Sequence, residues 1–250
     1  VEDLYKPYKK KKETRASKAR ARGLEPLADI ILKQESNLDI TREASAFINE
    51  EKEVPSADAA IQGAEDIIAE RLADDVDIID KIREIAFART VIETTATNPD
   101  EKNEFEMYCA FSEPVSEIAN HRILAINRGE MKKALKVKLL SPDDDIFSCV
   151  EKMTITNKKS PAREILQEVI EDALKRLIMP SVEREIRSSL TKRAETDAIK
   201  LFAENTKSLL MTRPVKGKRI FAIDPGFRTG CKVAILDETG KLLAYTTIYP

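Results

Sequence analysis

A mainly α-helical chain is the fold the sequence predicts: an elongated multi-helix region with a long central helix, followed by three β-strands. Three observations predict it. Only seven of the 250 residues are glycine, charged residues make up 34% and aromatics 5%, a composition suited to long solvated helices rather than to the many turns of an all-β protein. Apolar side chains recur every three or four positions through most of residues 14–212, the period of helices with one buried face. After Arg213-Pro214-Val215-Lys216-Gly217 that period gives way to short alternating runs, the signature of strands.

Thr14 caps a short basic helix that stops at Gly23, and Pro26, tolerated in a first turn, opens a second helix through Leu27, Ile30 and Ile31. Ser56 caps an acidic helix whose Ile61, Ala64, Ile68 and Leu72 bury one face, and Ile78, Ile79, Ile82 and Ile85 repeat the pattern. The polar stretch from Thr94 to Glu104, with Asn98-Pro99, reads as a surface loop. A helix is expected from Ile118 to Arg128, ending at Gly129, and then a half-exposed strand over Ala134–Leu140 whose partner lies outside the segment. Ser160-Pro161 opens a core helix that Pro180 interrupts. The last helix runs to Met211 with Val182, Ile186, Leu190, Ala194, Ala198 and Phe202 as its buried stripe.

Three runs follow: Arg219–Asp224, Cys231–Asp237 and Leu242–Ile248, separated by turn residues. They form a meander, which without a covering helix is an incomplete sheet. The expected division is therefore 1–90 helical, 91–215 central and helical with the long helix at 181–211, and 216–250 the opening of a truncated second domain. Val1 in place of methionine, and a final strand with nothing after it, mark the chain as a piece of something longer.

No apolar run of about 18 residues is present, and the charged N-terminus lacks the apolar core of a secretion signal. Cys109, Cys149 and Cys231 are odd in number and far apart, and His121 is the single histidine, which fits neither a disulfide framework nor a zinc site. A cytoplasmic protein with no cofactor is expected. The net charge of −2 hides a polarity: residues 1–22 hold nine basic against three acidic side chains, and residues 57–86 hold nine acidic against three basic. Such segregation either binds a polyanion or joins the two segments to each other.

The richest chemistry lies in Asp224-Pro225-Gly226-Phe227-Arg228-Thr229-Gly230. A strand-end carboxylate followed by glycines holds a metal-bound oxygen or lets backbone approach a phosphate; equally, Asp-Pro-Gly simply turns the chain. Two-metal hydrolysis needs at least three acidic ligands, and Asp237, on the next strand, falls at the far end of a meander. The run Phe221-Ala-Ile-Asp-Pro-Gly-Phe-Arg-Thr-Gly-Cys-Lys-Val-Ala-Ile-Leu-Asp-Glu-Thr-Gly-Lys-Leu-Leu243 closely resembles the start of the YqgF, RuvC-like domain of the Tex family of bacterial transcription accessory proteins. Glu2-Asp-Leu-Tyr-Lys-Pro-Tyr-Lys9, Gly23-Leu-Glu-Pro-Leu-Ala28, Ser112-Glu-Pro-Val115, His121-Arg122 and Arg128-Gly129-Glu130 are similar to the same family's helical region, in order.

The resemblance implies that residues 216–250 begin a ribonuclease-H-like (YqgF) α/β domain. It also implies a nucleic-acid-binding protein that takes RNA, and DNA as a second polynucleotide, alongside the transcription machinery, with no membrane and no small-molecule substrate. Helix-hairpin-helix units and an OB-fold carrying much of the RNA binding follow in the family, so this segment is mainly scaffold. Asp224 matches the first acidic position of a nuclease motif that is degenerate in the family, and no catalytic residue or metal ligand is carried over; the alternative is a magnesium-dependent, structure-selective nuclease. Candidate phosphate contacts are Lys9, Lys10, Lys11, Lys12 and Arg15 at one end, and Lys216, Lys218, Arg219, Arg228 and Lys232, with Arg213, around the turn. Phe227 is placed either to stack on a base or to pack inward.

Overall fold

The computed structural model describes residues 13–99, 104–213 and 215–249. Lys9 to Lys12 lie outside them. The chain divides into two compact units between Ala198 and Ile199.

In the first unit, helices begin where short polar side chains satisfy free N–H groups. Helix α1 (Arg15–Ala21) is closed by a reciprocal cap in which Ser17 N donates to Thr14 Oγ1 and Thr14 N donates to Ser17 Oγ. Helix α2 (Glu25–Lys33) carries Pro26 in its first turn, α3 (Ile40–Ser45) is capped by Asp39, α4 (Ala57–Asp74) by Ser56 and α5 (Val76–Arg89) by Asp75. Only Thr90 separates α5 from β1 (Val91–Ala96), and Ile92 of that strand is buried with Ile67, Ile82 and Leu166 in one apolar cluster. A boundary at residue 90 would cut that core.

The expected loop starting at Thr94 therefore opens as a strand, and the strand expected to lack a partner has one. β1 is the centre of an antiparallel sheet of order β2-β1-β3, between β2 (Ala110–Pro114) and β3 (Leu135–Leu140), with Ile92 opposite Leu139 and Thr94 opposite Val137. Val-Ile-Glu-Thr-Thr is polar by composition yet largely β-branched, and β-branched residues suit a half-buried pleat. Thr94 is buried, its hydroxyl donating to the Tyr108 carbonyl.

Helix α6 (Asn120–Met131) does not stop at Gly129. That glycine is buried, and a Cβ there would stand 2.5 Å from Leu135 Cδ1; it is small so that β3 can pack close. The reversal comes later, at Lys133 with φ +58°.

Helices α7 (Asp143–Thr154) and α8 (Ala162–Asp172) follow, and Pro180 does not break the chain after them. A π-helical segment, Ala173–Ile178, leads without interruption into α9 (Met179–Leu210). Proline lacks an N–H and crowds the carbonyl four residues back; the wider π turn just before Pro180 takes up that mismatch. At 32 residues α9 is about 48 Å long. Val182, Ile186, Leu190 and Ala194 are buried as expected, but Ala198 is half-buried and Phe202 is 72% exposed. From residue 187 onward α9 meets α6 through polar contacts: Arg187 with Glu130, Thr191 with Asn127, Arg193 and Asp197 with Asn120. No helix among the described residues is long and apolar enough to cross a membrane.

One side chain joins the two halves of this unit. Gln34 ends α2 in the left-handed region (φ 55°) and is 4% exposed. Its Nε2 donates to the Thr154 carbonyl (2.8 Å), and its Oε1 accepts from Thr156 N (2.9 Å) and Asn157 N (3.0 Å). Asn157 Nδ2 returns to the Gln34 carbonyl (2.9 Å), and the Ser160 hydroxyl donates to the Glu35 carbonyl. Replacing Gln34 by Leu leaves the Thr156 and Asn157 N–H groups without their shared acceptor, so unfolding in urea followed by circular dichroism should show a loss of about 1–2 kcal/mol; an unchanged midpoint would remove the clamp from the account.

Candidate nucleic-acid interface

The second unit is an antiparallel meander of order β4-β5-β6: β4 (Ile220–Asp224), β5 (Cys231–Leu236) and β6 (Leu242–Ile248). Its register places Asp224 opposite Lys232, and Lys232 opposite Thr247. Side chains alternate across a strand, so Asp224, Lys232 and Thr247 share one face with Tyr245, while Phe221, Ile223, Val233 and Ile235 share the other. The turn between β4 and β5 is tight. A Cβ on Gly226 would stand 2.6 Å from the Gly230 carbonyl oxygen, and Gly230, at φ +78°, has the Tyr249 ring and Thr247 packed where a Cβ would point.

Asp224 ends β4 exposed, and among the described residues its carboxylate has no hydrogen-bond partner. Asp237, the other strand-end carboxylate, is fully committed. It accepts from Thr239 N (2.8 Å), Thr239 Oγ1 (2.7 Å) and Lys241 N (2.9 Å), bonds that hold its pKa below the ordinary carboxylate value. It closes the β5–β6 turn at the end of the sheet away from Asp224, beside the Ile220–Leu236 pair.

The candidate cations of this unit fall at two ends of the sheet: Arg228 and Lys232 lie beside the β4–β5 turn, and Lys216, Lys218 and Arg219 precede Ile220, which pairs with Leu236 at the other end. Lys216, Lys218, Arg219, Arg228 and Lys232 are all exposed, and among the described residues none has an ion-pair partner. Phe227, at the tip of the turn, is fully exposed and does not pack inward. The division at Ala198 reveals a charge asymmetry that residue counts over shorter windows miss: residues 199–250 hold nine Lys and Arg against four Asp and Glu, a net of +5 in a chain of net −2.

Arg15 sits in different surroundings. The acidic helix α4 is the neighbour of α1, and Arg20 of the basic segment pairs with Glu70 of the acidic one; Arg71 of α4 pairs in turn with Glu25 and Asp29 of α2. Thr14 Oγ1 also donates to Glu70, which is 9% exposed. Arg15 is exposed, but its charge acts on Asp66 and Asp172. Burial pushes Asp66 up against the pull of Arg176 and Arg15, whereas the Arg176 hydrogen bond holds Asp172 down. Next to them burial, followed by the charges of Glu168, Asp66 and Asp172, pushes Glu65 up to about 7.

Several motifs singled out in the sequence hold the scaffold together. Glu113, from Ser112-Glu-Pro-Val115, receives Arg122 on both carboxylate oxygens at 2.8 Å, with the Arg122 guanidinium 5.7 Å from the centre of the Phe111 ring. Glu130 holds Arg187 of α9, and His121 faces solvent. Gln34 had no local signal, because its partners lie about 120 residues away.

A helical scaffold carrying a basic antiparallel meander is the class of protein that this fold and site define. Residues 35–202 match the family model described as Tex central region-like, and residues 218–250 match the Tex protein YqgF-like domain. The chain belongs to the Tex family. It is 47% identical to Uncharacterized protein YdcI of Bacillus subtilis, 35% identical to Transcriptional accessory protein Tex of Neisseria gonorrhoeae and 33% identical to the human S1 RNA-binding domain-containing protein 1. All of this chain is covered in each comparison, against 35%, 33% and 26% of those proteins, so it spans about a third or less of their lengths.

The Glu65 carboxyl gives the scaffold a pH dependence of defined sign. Its folded-state pKa lies above the ordinary glutamate value of 4.5, so between about 4.5 and 7 the folded state holds more protons than the unfolded one, and stability falls as pH rises through that window. Glu65→Gln should therefore stabilise the chain more at pH 8 than at pH 5, measured as the shift in urea midpoint; equal shifts at both values would contradict the assignment.

Proposed function

We propose that this chain is the scaffold segment of an RNA-binding transcription accessory protein. In this reading its helices form a rigid support, and its YqgF-like meander holds polynucleotide without cutting it. The observation that supports this reading is the set of unneutralised cations on the second unit, Arg228 and Lys232 at the β4–β5 turn and Lys216, Lys218 and Arg219 before β4. Cations left without carboxylate partners are free to replace the counterions of a phosphate backbone, and the exposed Phe227 ring at the turn offers a base a stacking partner. Elsewhere arginines such as Arg20, Arg71, Arg83, Arg122, Arg176 and Arg187 are paired with carboxylates. The names of two relatives, a transcriptional accessory protein and an S1 RNA-binding domain-containing protein, point the same way.

Holding without cleavage rests on the carboxylates: Asp224 stands alone at its end of the meander, and Asp237 is spent on a turn at the other. Changing Lys216, Lys218, Arg219, Arg228 and Lys232 together to Gln should weaken single-stranded RNA binding and flatten the dependence of log K on log salt by up to about 3.5, at roughly 0.7 for each phosphate no longer neutralised. Unchanged affinity and slope would remove the meander from RNA binding. Incubated with structured RNA and branched DNA in magnesium or manganese, the full-length protein should leave both intact; cleavage that Asp224→Asn abolishes would make it a nuclease.

A further inference from the structure

The first unit contains a groove that the RNA-binding reading does not use. Its floor is apolar: Phe147 of α7, Leu174 of the π-helical segment, and Met179 and Pro180 of α9. The cavity measures about 570 Å³, within the size range of sites that take a ligand or a few side chains. Its rim is acidic on three sides. Asp143 and Asp144 come from the first turn of α7, Glu171 from the end of α8 and Glu183 from the first turns of α9, with Lys175 as the one cation lining it.

What separates this rim from an ordinary solvated acidic face is that it borders apolar surface and includes a half-buried carboxylate, Glu183. Among the described residues, none of these four carboxylates has an ion-pair partner, although the adjacent Asp145 is paired with Arg89 and the nearby Asp172 with Arg176. Burial against the apolar floor, with the charge of Asp143 added, pushes the Glu183 carboxyl up: the group lacks a cation. The geometry points to a docking groove for a basic amphipathic protein segment, whose apolar side chains fill the floor between α7 and the π-helical segment while its Lys or Arg side chains meet Asp143, Asp144, Glu171 and Glu183. Charge complementarity selects this occupant. A polynucleotide would be repelled by the rim, and an acidic or neutral helix would leave the carboxylates uncompensated. The π-helical segment contributes directly, because the backbone that carries the chain past Pro180 also brings Leu174 and Lys175 to the groove.

The probe is a fluorescein-labelled helix of about 18 Lys and Leu residues with the leucines on one face, and its counterpart with Glu in place of Lys. Anisotropy titrations with the 250-residue chain at roughly 0.15 M salt should show binding of the Lys probe and none of the Glu probe. The triple variant Asp143→Asn, Asp144→Asn, Glu183→Gln should weaken the Lys probe at least about tenfold. A distant variant with the same charge change, Glu50→Gln, Glu51→Gln, Asp58→Asn, should leave it within about twofold. Circular dichroism verifies that both variants are folded. The proposal is overturned by failure of the Lys probe to bind, by equal weakening in both variants, or by displacement of the probe by spermine at the probe's own concentration, which would make the groove a small-cation site.

Discussion

The helical unit depends on a single buried amide. Gln34 closes α2 and satisfies three backbone groups of the segment between α7 and α8, while Asn157 and Ser160 return hydrogen bonds to the Gln34 and Glu35 carbonyls. Because its partners are so far along the chain, this clamp adds a fixed register to the apolar core that the helices share. It fixes where α8 begins, and therefore where the continuous run of α8, the π-helical segment and α9 lies against α4. A buried amide with its bonds made specifies one arrangement, and any slip would leave N–H groups stranded.

Charge is organised by the same economy. The basic and acidic stretches near the N-terminus meet where Arg20 of α1 pairs with Glu70 of α4, and Arg71 of α4 pairs with Glu25 and Asp29 of α2. What is left over is unevenly placed. Among the described residues, carboxylates without ion-pair partners line the groove between α7 and the start of α9, and cations without partners stand at both ends of the β4-β5-β6 meander. A surface already neutralised by its own chain has little to offer a charged ligand, whereas these two regions retain their full field.

Local chemistry made much of this legible in the sequence. Thr14, Pro26 and Ser56 start helices where their side chains predict, and the three strands after residue 216 form the expected meander with Asp237 at its far end. Of the sheet β2-β1-β3 only β3 was legible, as the alternating run Ala134–Leu140; β1 and β2 are short, Thr94 and Thr95 look polar, and the β1–β3 pairing closes through residues some 45 positions away. Pro180 and Gly129 misled for a related reason. Proline normally breaks a helix and glycine normally ends one, but here a π turn accommodates the first and tight packing on Leu135 requires the second. Phe202 was assigned to a buried stripe by period alone, and period cannot say where the neighbours of a long helix run out. In the candidate site, the basic residues near the turn were readable as a cluster. Their lack of partners, and the pairing of α1 with the acidic α4, depend on tertiary contacts.

The central claim is that the free cations of the meander unit, before β4 and at its β4–β5 turn, are where this chain holds RNA. Photo-crosslinking of the 250-residue chain to 4-thiouridine-substituted single-stranded RNA, followed by mass spectrometry of the attached peptides, tests it most directly. The account predicts adducts concentrated in residues 216–232, with Phe227 among them. Adducts confined to the helical unit, or spread evenly over its surface, would contradict it.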